Sequence, residues 1–240
     1  MKEPIVMSWS GGKDSTMALH ELLRSDEYEV VSLLTSVSEE FRRISHHGVR
    51  EELLDEQAKA LGLPLEKVFL PSGDSGGCTN DVYEAIMKKA MIAYRDRGVK
   101  TVAFGDLFLQ DLREWREANL AKVGMRGIFP IWHRDTAGLA REMIALGYKA
   151  YLSCVEGKVG PGFVGRLFDE AFLADLPAGI DLCGENGEFH SFVYDGPIFK
   201  EPVRVRVGEI VGRDGRHYAD LLLDESPAPE KSVAMLIPPV

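Results

Sequence analysis

Residues 4–23, PIVMSWSGGKDSTMALHELL, decide how the chain folds. Ile5, Val6 and Met7 form an apolar run of the kind that makes a buried strand, and residues 16–23, TMALHELL, read as a helix. Between them stands Ser10-Gly11-Gly12-Lys13-Asp14-Ser15. Two adjacent glycines between a strand and a helix let the backbone turn sharply and approach a ligand closely. The N–H groups of such a turn face the same point as the helix N-terminus, which carries roughly half a positive charge, and together they form a nest for an anion. Lys13 adds a full charge, and the Ser10 and Ser15 hydroxyls add donors. The loop is therefore expected to hold phosphate. It is not the common phosphate loop G-x-x-x-x-G-K-[ST], because Asp14 follows Lys13 and the glycines are adjacent. The plain alternative is a glycine-rich turn without a ligand.

The whole chain has 240 residues, 45% hydrophobic and 28% charged, enough for one large domain or two modest ones. The net charge of −10 argues against avid non-specific nucleic-acid binding, which needs a basic field. Cys78, Cys154 and Cys183 are far apart and form no C-x-x-C pair, so a reducing compartment without a disulfide framework is expected. The chain runs straight into its first strand, and no apolar run approaches the length of a membrane span. A cytoplasmic protein with no signal peptide and no membrane partner is expected. Self-association is left open.

Outward from the loop, residues 28–35 (YEVVSLLT) form a continuous apolar run, as in a strand buried on both faces. Residues 41–48 (FRRISHHG) are polar and without periodicity. A helix is expected over 49–61, with Leu54, Ala58 and Leu61 on one face and Gly62 stopping it. A short strand follows at 65–70, then a loop by composition at 71–80, PSGDSGGCTN. The spacing predicts a long helix over 81–97 with Val82, Ile86, Ala90 and Ala93 on one face and Gly98 after it. A strand at 101–104 ends at Gly105-Asp106, a charged helix covers 111–123, and a fifth strand-like run covers 127–132. Five such runs separated by helices predict an α/β fold, a parallel sheet with helices on both faces. Ligands bind such sheets beyond the C-terminal strand ends. The loop at Ser10–Ser15, the segment after Thr35, and Gly105-Asp106 all fall there.

A second region begins near His133, with a helix over 136–146 and a strand over 148–155. Residues 160–165, GPGFVG, match G-x-G-x-x-G in form, but Pro161 lacks the N–H that a pyrophosphate would use. A helix is expected over 166–176 and a β-hairpin over 203–223 turning at Asp214-Gly215. Residues 226–240 read as a proline-rich tail. The expected division is 1–132, 133–225 and 226–240. Residues 183–193, CGENGEFHSFV, gather Glu185, Glu188 and His190, with Gly184 and Gly187 breaking the backbone. Such a turn could bind a cation or an amine, or move a proton. The alternative is a tight turn with solvated acids ahead of a strand.

SGGKDS resembles the PP-loop of the ATP pyrophosphatases, which cleave ATP between its α- and β-phosphates. With GDLFLQDLREWRE (105–117), GMRGIFPIW (124–132) and GENGEFHSF (184–192) in this order, the chain resembles the diphthine–ammonia ligase family over nearly its whole length. Residues 42–54, RRISHHGVREELL, resemble a variant found in short prokaryotic members. The resemblance implies a PP-loop nucleotide-binding domain of the adenine nucleotide alpha hydrolase (HUP, Rossmann-like) type, followed by a smaller α+β substrate domain. It also implies a reaction. A carboxylate, that of diphthine on elongation factor 2 or another substrate, attacks the α-phosphorus of ATP, and ammonia then displaces AMP to give an amide.

On that resemblance, Ser8, Ser10, Gly11, Gly12, Lys13, Asp14, Ser15, Thr35, His47, Gly105 and Asp106 would contact ATP, with Asp14 or Asp106 holding Mg²⁺. Asp14 capping the helix is the alternative for that residue, and a plain loop position is the alternative for His47. Lys13, Asp14, Glu185, Glu188 and His190 would carry the chemistry. Arg113, Arg116, Glu117, Gly184, Asn186 and Gly187 would meet the substrate, the first three being otherwise a solvated helix face. Two competing functions stay open: a PP-loop enzyme that thiolates tRNA, and an ATP-binding regulatory module without turnover.

Overall fold

The computed structural model describes residues 1–44, 47–71 and 78–226. Strand β1 (Glu3–Ser8) lies at the centre of a five-stranded parallel sheet. Successive side chains of a strand point to opposite faces, and both faces are covered. Ile5 and Met7 enter one apolar core, and Val6 enters the other. Strand β2 (Tyr28–Ser38) does the same with Leu33 and Leu34. Strands β3 (Leu65–Leu70), β4 (Thr101–Ala103) and β5 (Arg126–Ile128) complete the order β3-β2-β1-β4-β5.

Helices α1 (Lys13–Arg24) and α2 (Glu51–Leu61) pack on the face of Ile5 and Met7. Helices α3 (Asn80–Asp96) and α4 (Gln110–Ala121) cover the other face. The chain moves outward from β1 in one direction, then returns to β4 and moves in the other. The reversal between β1 and β4 opens a crevice at their C-terminal ends. The α/β class and the parallel sheet are as the sequence predicts.

Several expectations need correcting. In α3 the buried residues are Met91 and Tyr94, while Val82 is exposed and Ala93 faces solvent. The larger Met and Tyr side chains bury more apolar area than Ala and Val and so set the helix rotation. Strand β5 ends at Ile128 instead of reaching residue 132; Pro130, with no N–H, begins a turn. The expected helix over 166–176 forms only at its end, as α6 (Glu170–Asp175). Its N-cap is Asp169, whose carboxylate accepts the Phe172 N–H at 2.8 Å. Leu167 instead bridges to Tyr151. Strand β2 runs on to Ser38, past Thr35. Residues 45–46 of the polar 41–48 stretch, residues 72–77 of the expected loop and residues 227–240 of the expected tail lie outside the described residues.

The second sheet is antiparallel, in the order β7-β6-β9-β8. It comprises β6 (Lys149–Glu156), β7 (Phe189–Asp195), β8 (Val205–Arg213) and β9 (Arg216–Leu223). The β8–β9 hairpin turns at Asp214-Gly215, both with positive φ (52° and 75°), the two-residue turn whose twist suits antiparallel strands. Helix α5 (Thr136–Ala145) enters from the first sheet, its N-cap Asp135 accepting the Gly138 N–H at 2.6 Å. One continuous core joins the two sheets: Ile5 and Met7 of β1, with Leu19 of α1 and Leu54 of α2, share it with Phe189, Phe192 and Leu221 of the second sheet.

An ion cluster also ties the sheets together. Asp220 on β9 accepts from Arg43 at 2.9 Å and from Nε and Nη2 of Arg50, each at 2.8 Å. These bonds, Arg50's first, hold the Asp220 carboxyl at a pKa of about 2 against burial. A carboxyl whose folded pKa is depressed stabilises the fold above its unfolded pKa, and the contribution disappears as pH falls through the folded value. Asp220→Asn is expected to lower the thermal midpoint at pH 7 by a few degrees, about 1 kcal/mol for a partly solvated pair. The deficit should shrink steeply as pH falls from about 4 to about 2. A thermal melt series across pH checks this, and an equal deficit at pH 2 and pH 7 would contradict it.

Candidate functional site

The loop after β1 is held from both sheets. Gly11 (φ 75°) turns its carbonyl towards the second sheet, where it accepts the Val193 N–H of β7 at 2.9 Å. The Gln57 side chain of α2 donates to the same carbonyl at 3.0 Å. A Cβ at Gly11 would lie 2.7 Å from Leu54 Cδ2 and 2.8 Å from Gln57 Oε1, so the turn needs glycine for both space and φ. Gly12 is the N-cap of α1, with no side-chain cap; its carbonyl accepts from the hydroxyls of Ser15 and Thr16, each at 2.9 Å. Asp14 is therefore not the helix cap. Ser10 Oγ and Ser15 Oγ lie 3.1 Å apart. The Lys13 N–H donates to Ser191 Oγ of β7 at 3.1 Å.

Lys13 is only 4% exposed. Its Nζ donates to Asp14 Oδ2 at 2.7 Å and stands 5.2 Å above the Phe189 ring. Burial opposes its charge, but Asp14, with help from Glu185, more than offsets this, and the ammonium is held above its ordinary pKa. Asp14 Oδ1 is buried and makes no hydrogen bond among the described residues. A buried carboxylate oxygen without a donor fits a cation. Mg²⁺ takes one or two carboxylates and completes its shell with water and phosphate oxygens, so a single such ligand is sufficient. No cluster of three or more His, Cys, Asp or Glu suited to a metal occurs among the described residues.

The end of β4 comes against this loop. A Cβ at Gly105 would lie 2.8 Å from the backbone of Asp14 and Ser15, so only glycine allows the approach. Asp106 faces the cleft but is engaged by Arg116 of α4, Nε to Oδ2 at 2.7 Å. Each of the two acids is thus ion-paired, Asp106 with Arg116 and Asp14 with Lys13. Arg113 and Glu117 do not line the cleft. They pair with each other at 2.9 Å, and the Arg113 guanidinium lies over Phe129 and Trp132 at 4.7 and 4.8 Å.

The segment before β7 divides its acids between two jobs. Asp181 shapes the turn, accepting the N–H groups of Cys183 and Glu185 at 3.0 and 3.1 Å and the Thr136 hydroxyl at 2.6 Å. Glu188 is 2% exposed and braces the turn from within, accepting from the backbone and side-chain nitrogens of Asn186 at 3.0 and 3.1 Å. Neither Glu188 nor Asn186 lines the cleft, whereas Gly184, Glu185, Gly187 and His190 do. Glu185 Oε1 accepts the Leu107 N–H at 2.7 Å, fastening the second motif to the loop after β4. Burial first, then the nearby Asp14 carboxylate, pushes the Glu185 carboxyl up to about 7. Cys183 is buried, and burial pushes its thiol up.

The cleft encloses about 1330 Å³, more than a typical small-ligand site of roughly 300–1,000 Å³. Ser8, Thr35 and His47 line it with the loop. Thr35 Oγ1 is buried and makes no hydrogen bond among the described residues. The rings of His47 and His190 lie 4.5 Å apart, tilted by 31°. Sequence reasoning missed Trp9, Gln57 and Ser191. Gln57 alone carried a signal, a polar residue within the apolar face of its helix (0% exposed).

Residues 1–127 match the family model of the diphthamide synthase N-terminal domain, and residues 135–221 match that of the diphthamide synthase C-terminal domain. A Bos taurus protein named diphthine–ammonia ligase is 26% identical over 230 residues, 88% of this chain and 85% of the relative. A Danio rerio protein of the same name is 28% identical over 225 residues, 84% of this chain and 86% of the relative. A Schizosaccharomyces pombe protein of that name is 26% identical over 223 residues, but these make up only 36% of its length.

Proposed function

The chain belongs to the diphthamide synthase family of ATP-dependent ligases, and from that premise we propose that it forms an amide from ammonia and the carboxylate of diphthine on elongation factor 2, in the cytoplasm. Residues 1–132 then bind ATP, and residues 133–225 bring in the acceptor. A carboxylate oxygen attacks the α-phosphorus of ATP, the bond to the bridging oxygen breaks, and pyrophosphate leaves. The ammonia nitrogen attacks the acyl carbon of the resulting acyl-adenylate. AMP departs with the bonding electron pair, and the nitrogen gives up a proton.

Each step makes a demand that a named residue suits. Charge develops on the phosphates, and preorganised donors are the largest lever against its cost. Lys13, Ser10, Ser15 and the α1 N-terminus supply them. Asp14 Oδ1 would hold Mg²⁺, which neutralises phosphate charge when bound. The proton from nitrogen needs a base with a pKa near the working pH. Glu185 at about 7 is such a base, 2.7 Å from the Leu107 N–H that aims it. This is the observation that carries the reading: an acid from the second motif, tuned to neutrality, in the cleft that the phosphate loop lines. His190 lines the same cleft, its ring against that of His47. Arg116 is the substrate-side cation of the three expected on α4, while Glu188 acts by holding the turn.

The decisive experiment mixes ATP, ammonia and diphthine-bearing elongation factor 2 with the protein and follows AMP and pyrophosphate. Stoichiometric release of both with amide formation is expected, and tight ATP binding without AMP would favour the regulatory module. The double variant Cys78→Ser/Cys154→Ser separates the thiolating alternative. Cys154 is buried in β6 with its thiol pushed up to about 11, whereas Cys78 lines the cleft ahead of α3. Turnover within about threefold of the parent is expected; its abolition would favour thiolation.

A further inference from the structure

Gln57 spends every polar atom of its side chain on the phosphate loop and the strand that supports it. It is fully buried. Its Oε1 accepts the Trp9 indole N–H at 2.8 Å, fixing which end of the amide is oxygen. Its Nε2 then donates twice, to the Gly11 carbonyl at 3.0 Å and to the Val193 carbonyl at 2.6 Å. Gly11 and Val193 are themselves joined by a backbone bond at 2.9 Å. The amide thus closes a ring with β1's exit, the first loop glycine and β7. Two residues back along β7, Ser191 Oγ takes the Lys13 N–H. The loop's conformation is written into the second sheet.

We infer that Gln57 is a positioning residue for the phosphate loop, holding the Gly11 peptide so that the following N–H groups and Lys13 keep their aim. It touches no substrate. The inference rests on the reading of Ser10–Ser15 as the cradle for ATP's phosphates. Only a primary amide has this pattern, one acceptor and two donors in a plane. A carboxylate in its place keeps the Trp9 bond but faces two carbonyl oxygens with no proton. A protonated carboxyl recovers one of the two donors. The local cost of leaving buried carbonyls unserved would be expressed as a displaced loop as well as lower stability.

The test measures ATP affinity in Gln57→Glu and Gln57→Leu at a temperature where circular dichroism shows both folded. Met143→Ala, a cavity variant in the same core but on α5, serves as the stability control. For both Gln57 variants, the dissociation constant for ATP should rise at least tenfold. That of Gln57→Glu should recover several-fold as pH is lowered from 8 to 6, relative to the parent at each pH. Met143→Ala should bind ATP as the parent does, despite its lower midpoint. Parent-like affinity in folded Gln57→Leu, or an equal loss in Met143→Ala, overturns the inference and leaves the ligase reading intact. A parent protein that binds no ATP overturns the ligase reading and the inference with it. If Gln57→Leu does not fold, the pH response of Gln57→Glu decides, and its absence counts against the inference.

Discussion

Replacing Lys13 with alanine is expected to reduce kcat/KM for ATP by at least about 10²–10³-fold, the range seen when one preorganised donor to a developing charge is removed. The ammonium is the one full positive charge built into the loop itself, and it is 4% exposed, so water contributes little screening. Alanine also leaves the partly buried Asp14 carboxylate near the Glu185 carboxyl without its cation, which is destabilising. Lys13→Gln separates the two effects. Its amide can still donate to Asp14, so the fold should tolerate it better, yet it carries no charge to the phosphates. A folded Lys13→Gln protein should keep the activity loss of the alanine variant. Steady-state pyrophosphate release and a thermal melt on each variant check this. Parent-like turnover in either would dismantle the assignment of the loop to phosphate.

The second large effect belongs to Glu185. With its pKa at about 7, the carboxyl is half ionised at neutral pH, and a base must be ionised to accept a proton. The amide-forming rate, plotted against free ammonia, should rise with pH through about 7 and then level. Glu185→Gln should lower the plateau by about 10²–10⁴-fold and erase the rise. Stability should move the other way. A carboxyl whose folded pKa is raised binds more protons folded than unfolded, so the parent loses stability as pH climbs from the unfolded value to about 7. The glutamine variant escapes that loss and should melt no lower than the parent at pH 8. An activity loss without a stability loss distinguishes a chemical role from a structural one. A retained rise through pH 7 in the variant would assign the proton transfer elsewhere.

The parallel sheet was legible because its information is local: apolar runs such as residues 28–35, and glycines such as Gly62 that end helices. The loop itself was legible because a strand, two glycines and a lysine fit in one short segment. The rotation of α3 was not, since it depends on whether Met91 and Tyr94 or Val82 and Ala93 find the sheet. The division of labour between Glu185 and Glu188 was equally hidden. Both are acids in one turn; only packing shows that one is turned inward to serve Asn186 and the other is aimed by Leu107. Arg113 and Arg116 differ by less than a helical turn, yet one stacks on Phe129 and the other meets Asp106. Such distinctions arise from contacts across the fold, which no spacing along a helix encodes.

The bond from Lys13 to Ser191 also has a consequence for how the protein is made. Its two residues are 178 positions apart in the chain. At about 5–20 residues per second, a ribosome needs roughly 10–35 s to travel that distance. During that interval the N-terminal strands can pair, but the loop has neither Ser191 nor Val193 to close against. Until β7 emerges, the nascent chain carries the Ser10–Ser15 loop without the strand that closes it. An N-terminal fragment released early would carry the SGGKDS signature without the strand that completes it.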